Sequence, residues 1–297
     1  MKIKNVLPVI LLVVLTAGTT LAQEKQPLFY FKVYVGDGLF TPGSDGVYPS
    51  SIIGVENGTT GTYSYSKKGL GAGFNDGFGI EKPLGKIFSI GLDVNFLHGK
   101  TLTSNYTVYP PPSGNLNWVS YTGSASYSVT SFVPNVSANV FQKHGYIIYT
   151  RLGVIIASKV NNQNTENYLI QGNGTLPITE NFVQVNNYGV EAGLNIGAGT
   201  RFNLWGPLKG TIEICDNLLS VSPKSAHQSG VITEVYNVYV GDDITYIKSN
   251  SGVSTSSTTS VANGNGGGSI TATHTEPSFN QHINNIVVNV GLAIAIK

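Results

Sequence analysis

Residues 188–201 read Tyr188-Gly189-Val190-Glu191-Ala192-Gly193-Leu194-Asn195-Ile196-Gly197-Ala198-Gly199-Thr200-Arg201. With Asn187 added, the stretch sorts by parity: Tyr188, Val190, Ala192, Leu194, Ile196 and Ala198 against Asn187, Gly189, Glu191, Gly193, Asn195, Gly197, Gly199 and Arg201. A period of two places successive side chains on opposite faces of an extended chain, so the stretch predicts a β-strand with one apolar face and one face of small polar residues. Phe88, Ile90, Leu92, Val94 and Phe96 oppose Ser89, Gly91, Asp93 and Asn95 in the same way. So do Ile286, Val288, Val290, Leu292, Ile294 and Ile296 against Asn289, Gly291, Ala293 and Ala295.

Working outward, five further segments carry a weaker alternation: 28–36, 68–80, 125–141, 145–157 and 208–217. That makes eight strands, each long enough for the roughly 9–11 residues of a tilted transmembrane strand. Their connections alternate in length. Glu81-Lys82-Pro83-Leu84-Gly85-Lys86, Gln142-Lys143-His144-Gly145 and Asn203-Leu204-Trp205-Gly206-Pro207 are short and rich in turn formers. The segments of about 37–66, 98–123, 158–186 and 218–282 are long. Short turns on one side and long extracellular loops on the other are the pattern of an up-and-down antiparallel transmembrane barrel. Within the last loop, Val235–Val240 and Ile244–Ile247 around Gly241-Asp242-Asp243 predict a hairpin, either an extension above the membrane or an added pair that would make ten strands. The extension is favoured, because residues 249–268 are too polar for a membrane strand; 249–273 is read as a flexible loop tip.

The N-terminus is read separately. Lys2 and Lys4 precede an apolar run from Val6 to Leu15 and the small residues Thr16 to Ala22, which predicts a signal peptide over 1–22 and export of a barrel domain over 23–297. The run is shorter than the ~20 residues of a spanning helix. No later segment is a helical span either, so an all-β chain is expected. Charged residues make up only 11% of the chain, against about 25% for a water-soluble domain. The net charge of +1, with no basic run, excludes nucleic acid as a partner on electrostatic grounds. Cys215 is the only cysteine, so there is no intramolecular disulfide framework.

Alternation alone does not say which face is outside. A soluble ligand-binding barrel would turn its apolar set inward. The polar set here is small enough to fill a narrow eight-strand interior and lacks the Lys and Glu density of a surface in water. The apolar set is therefore assigned to lipid. Charged residues on the polar parity, Lys32, Asp93, Arg151, Glu191, Arg201 and Glu213, are assigned to the lumen as a paired structural network, since a basic residue facing mid-bilayer costs about 2–4 kcal/mol. Asp76 shares the parity of Phe74 and Phe78, which calls for a bulge or a different register. Tyr63 and Tyr65 toward the outer side, and Phe141, Tyr146, Phe202 and Trp205 toward the periplasmic side, are placed for membrane interfaces.

These features, with segments such as Tyr188-Gly189-Val190-Glu191-Ala192-Gly193-Leu194 and Gly71-Ala72-Gly73-Phe74, resemble the OmpA/OmpX-like outer-membrane β-barrel family, in particular its stand-alone Bacteroidota-type members. The resemblance spans the mature chain and is architectural. It implies an outer-membrane location and insertion by the barrel-assembly machinery. Unlike many members, the sequence ends Ala295-Ile296-Lys297 rather than in an aromatic residue, and no peptidoglycan-binding domain is expected.

Three functions are weighed. The first is a structural or surface-interaction barrel that meets an extracellular partner through its loops. A small-solute channel is the alternative, and an eight-strand lumen filled by side chains argues against it. An outer-membrane enzyme would need more than His98, His227, His274 and His282, which come with no nucleophile elbow, paired-His spacing or acidic pair. No cofactor, catalytic residue or metal site is expected.

Overall fold

The computed structural model describes residues 27–40, 60–65, 70–109, 118–171, 177–233, 237–247, 254–262, 268–277 and 280–296. Among them the chain is all β. In chain order come β1 (Phe29–Phe40), β2 (Thr60–Tyr65), β3 (Gly73–Pro83), β4 (Phe88–Gly99) and β5 (Leu102–Tyr109). β6 (Trp118–Lys143) and β7 (Tyr146–Gln171) follow, each 26 residues long. Then come β8 (Ile178–Tyr188), β9 (Glu191–Trp205), β10 (Leu208–Val221), β11 (Pro223–Thr233) and β12 (Asn237–Ile247). The series ends with β13 (Ser254–Ala262), β14 (Gly268–Pro277), β15 (Gln281–His282) and β16 (Asn285–Ile296).

Eight of these strands close a cylinder. β1 pairs with β3, and the circuit continues through β4, β6, β7, β9, β10 and β16 back to β1, antiparallel throughout. Closure leaves no unpaired wall edge, which a bilayer would penalise by several kcal/mol per exposed backbone group. The circuit is staggered. From Pro83 on β3, paired residues run through Ser89, Ser137, Arg151, Gly197, Cys215, Val287 and Gly38, and return to β3 at Gly73. The shift is ten residues (83 minus 73), and such a shear tilts the strands by about 40°.

At one end, here the base, wall strands join through residues 84–87, His144-Gly145 and Gly206-Pro207. His144 (φ 46°) and Gly145 (φ 84°) both lie in the left-handed region, the backbone that a two-residue hairpin requires to match strand twist. At the other end, the crown, β6 and β7 rise well beyond the barrel. β5 and β2 pair in turn on β6. On the other side β8 pairs with the upper half of β7, then β11 with β8, β12 with β11, β14 with β12 in parallel, and β13 with β14.

The parity assignment of the wall is visible directly. Leu92, Leu194, Ile196 and Val290 point outward and are 37–55% exposed. Asn75, Asp93, Asn135, Asn195 and Asn289 point inward and are buried. Toward the crown this polarity inverts. On β7 the outward residues change from Leu152, Val154 and Ile156 to Ser158, Asn161 and Gln163, while Ile155, Ala157 and Val160 are buried inside. On β6 Phe132 faces out, but Tyr127 and Val129 above it face in. A β-bulge sits at the changeover: Ser131 pairs with Ala157 and Thr130 with Lys159, which leaves Ser158 as the extra residue. Leu70, Leu97, Leu102, Val129, Ile155 and Ile283 belong to the apolar cluster that fills the crown end.

Four expectations need correction. The segments 37–66, 98–123, 158–186 and 218–282 are not simply loops, because they contribute β2, β5, the upper parts of β6 and β7, β8, β11 to β14 and β15. Gly241-Asp242-Asp243 is not a hairpin turn; β12 runs straight through it, paired with Ser229, Gln228 and His227 of β11. The described parts of 249–273 form β13 and most of β14, in sheet outside the wall rather than a loop tip. Asp76 needs no bulge, since β3 pairs without interruption on both sides and the residue simply faces outward. The segment 1–22 lies outside the described residues.

Inward glycines make room for large inward partners. A Cβ on Gly199 would stand 2.7 Å from the phenol of Tyr149 and 2.8 Å from the Ile212 carbonyl oxygen. Gly199→Val is therefore expected to lower stability by about 1–3 kcal/mol by overpacking, read from urea unfolding in detergent, whereas outward-facing Ala198→Val changes it little.

Candidate functional site: the interior charge chain

The lower half of the barrel holds a chain of alternating charge. Arg201 (β9) donates through Nη2 to Oε2 of Glu81 (β3) at 2.7 Å. Lys32 (β1) stands 3.5 Å from the same Glu81 oxygen, and approaches Oδ1 of Asp93 (β4) to 3.2 Å as an ion pair rather than a directed hydrogen bond. Arg151 (β7) reaches Oδ2 of Asp93 at 2.5 Å with Nη2 and Oε1 of Glu213 (β10) at 2.9 Å with Nη1. The sequence of groups, Arg201, Glu81, Lys32, Asp93, Arg151, Glu213, strictly alternates in sign and sums to zero. All six side chains are at most 9% exposed.

Neutral donors complete the carboxylates. Tyr149 donates to Oε2 of Glu213 at 2.9 Å, Cys215 to its Oε1 at 3.0 Å, and Asn135 to Oδ2 of Asp93 at 3.1 Å. Arg201 also lies over the rings of Tyr30 and Tyr149, at 4.3 Å and 5.5 Å from their centroids. Above this layer is a belt of asparagines. Asn75 donates to Asn289 at 3.2 Å, Asn195 to Asn217 at 2.6 Å, and Asn217 to Asn285 at 2.9 Å; Tyr34 donates to Asn95. Between the asparagines and the crown cluster remains a cavity of about 30 Å³, lined by Asn95, Ser131, Leu97 and Ile283 among others. It has the volume of a water molecule or two, far short of an aqueous channel.

Of the six residues singled out in the sequence, the structure brings Lys32, Asp93, Arg151, Arg201 and Glu213 together. Glu191 stands apart. It is the first residue of β9, half-buried toward the crown, where its Oε1 accepts from the Ser222 amide at 3.4 Å. The third acid of the chain is Glu81, which the sequence reading left in a turn. Its signal was available: Asn75, Gly77 and Gly79 share one parity, and two more residues along it reach Glu81. Cys215 is a buried hydrogen-bond donor, in keeping with a structural thiol.

Two histidines have acidic partners. His98 Nε2 lies 3.0 Å from half-buried Asp76, and His227 Nδ1 2.8 Å from Asp243, the other three side chains being exposed. Ser128, opposite His98 on β6, instead accepts from Asn161 at 3.2 Å. No cluster of three His, Cys, Asp or Glu suited to a metal occurs among the described residues. On the outer wall, Lys100 pairs with Asp37 at 3.1 Å. Asp216 faces outward between Ile196 and Ile286, and nothing in the structure explains it.

No family model matches this chain, and no curated protein matches it either. The reading of function therefore rests on geometry.

Breaking one member of the chain leaves its partner charged and buried, which typically costs about 3–5 kcal/mol. Arg151→Met and Glu81→Gln are each expected to destabilise the barrel on that scale in urea unfolding, while Glu191→Gln, outside the chain, shifts the midpoint little.

Proposed function

We propose that this protein is an integral outer-membrane barrel whose lumen is a structural plug and whose crown sheet meets an extracellular partner. The observation that carries this reading is the inversion of polarity along the wall strands. On β7 the outward series Tyr146, Ile148, Thr150, Leu152, Val154 and Ile156 is apolar but for Thr150 before it turns polar. At about 3.3 Å per residue and a tilt near 40°, those ten steps rise about 25 Å, the height of the apolar band on transmembrane barrels. In water such a continuous exposed apolar surface would far exceed the few hundred Å² that soluble monomers tolerate. Hydrocarbon is its natural solvent.

The margins of the band agree. Phe29, Phe88, Phe141, Tyr146 and Trp205 ring the base with 40–84% exposure, where amphipathic and aromatic rings favour a headgroup interface. Toward the crown margin outward Asp37 pairs with Lys100 and outward Asp76 lies against His98, while Asp216 also faces outward. The signal peptide over 1–22, insertion by the barrel-assembly machinery and kinship with OmpA/OmpX-like barrels belong to the same reading, supported by architecture.

A neutral interior crossed by six strands' worth of ion pairs and capped by apolar side chains favours a closed barrel over the channel alternative. Recognition is left to the crown, where polar strands stand on a rigid wall.

Purified protein is expected to migrate as a compact band in detergent until boiled and to show no conductance steps of porin size in planar bilayers. Reproducible porin-sized openings, or the absence of any heat-dependent shift, would contradict the proposal. Deletion of residues 249–273 should preserve the compact band while reducing adhesion or ligand capture by cells displaying the protein; unchanged surface binding would count against a role for that part of the crown.

A further inference from the structure

Resting on that reading, we infer that the base of the barrel is a docking surface for anionic phospholipid headgroups. The charge balance differs between the two ends. Among the described residues the exposed ionic side chains at the base are Lys82, next to the end of β3, Lys86 in the β3–β4 turn and Lys143 at the end of β6, joined by exposed His144 in the β6–β7 turn; half-buried Lys209 lies behind them. Among the described residues no exposed Asp or Glu accompanies them, because Glu81, the acid nearest this end, is buried and engaged by Arg201 and Lys32. Among the described residues the crown is mixed instead, with exposed Asp37 and Asp243 and half-buried Asp76, Glu166, Glu180, Glu191 and Asp242 beside exposed Lys100, Lys159 and Lys224.

The three exposed lysines are presented rather than scattered. The turn bearing Lys86 is pinned by hydrogen bonds from Leu84 N to Phe88 O at 2.8 Å, from Asn139 N to Ile87 O at 2.7 Å, and from the Asn139 side chain to the Lys86 carbonyl at 2.9 Å. Lys82 lies with its ammonium 5.7 Å from the centre of the Phe29 ring. β3, β4 and β6 are consecutive in the wall, so strand spacing of about 4.8 Å places the two turns about 10 Å apart. That is close to one Debye length at physiological salt, and their potentials add. The lysines sit beside exposed Phe88, Phe141 and Tyr146, at the level where an apolar wall gives way to lipid phosphates. An ammonium beside an anionic lipid surface gains up to about fivefold in association per residue.

The test uses the full chain folded into phosphatidylcholine bilayers containing trace spin-labelled lipid, with boundary association compared for phosphatidylglycerol and phosphatidylcholine. The expected result is a preference of at least about threefold for phosphatidylglycerol, falling to parity near 1 M salt, where screening is about 3 Å. The combined variant Lys82→Gln, Lys86→Gln, Lys143→Gln should lose the preference while keeping its heat-shifted compact band; Lys159→Gln at the crown should retain it. Equal association of both lipids with a correctly inserted barrel, loss of the preference in Lys159→Gln alone, or displacement of the labelled lipid by millimolar inorganic phosphate would overturn the inference and leave the membrane reading standing. A chain that enters no bilayer at all would overturn both.

Discussion

A cylinder of eight strands has an interior only as wide as the side chains that fill it, and this one is filled with charge. Three cations and three anions taken out of water would each cost several kcal/mol if left alone, against a total stability of ordinary size near 5–15 kcal/mol. The barrel can exist only because Arg201, Glu81, Lys32, Asp93, Arg151 and Glu213 meet in strict alternation. These residues come from β9, β3, β1, β4, β7 and β10, so the same contacts that neutralise the lumen also fix the stagger of the wall. A slip of one residue in any of those strands would turn its charge to the outer face and its apolar neighbours inward.

The wall solves two solvation problems with one strand. Below the bulge at Ser158 the outward residues of β7 are mostly apolar, Leu152, Val154 and Ile156; above it they are polar, Asn161 and Gln163. An extra residue is the economical way to allow a strand to re-aim its side chains without breaking the sheet. The bulge thus marks the height at which the outer face of β7 changes from apolar to polar. It also explains the apolar cluster around Leu97, Val129 and Ile283: once the outer face is polar, the inner face can form a conventional core. That core closes the lumen from the crown side.

The wall was legible in the sequence because two independent signals, period two and alternating connection length, agreed on the same eight segments. The interior chain was legible where charge fell on the polar parity within a clear strand, as for Lys32, Asp93 and Arg151. It failed at both ends of strands. Glu81 was assigned to a turn because Lys82-Pro83 follows it, yet proline is accommodated at the end of β3, beside the turn. Glu191 was assigned to the lumen because parity says which side a residue faces but not how far along the cylinder it stands. The crown escaped for a different reason. β13 and β14 are rich in Ser and Thr and have little apolar alternation to read; the wall edge of β7 supplies the template on which β8 and then the rest pair through their backbones. Gly241-Asp242-Asp243, a turn by composition, stays extended because β11 offers a partner opposite each residue.

An interior that is neutral and plugged has an electrostatic consequence for the molecule as a whole. The alternating chain sums to zero inside the barrel, so the potential outside it is set mainly by the side chains at the two ends. Those ends differ, with lysines at the base and carboxylates beside lysines at the crown. The crown presents an amide-rich and hydroxyl-rich sheet carried beyond the closed wall on β6 and β7. The rigid lumen connects the two mechanically but not electrically. Binding at the crown can therefore be altered by changing crown residues alone, without disturbing the ion pairs on which the barrel depends.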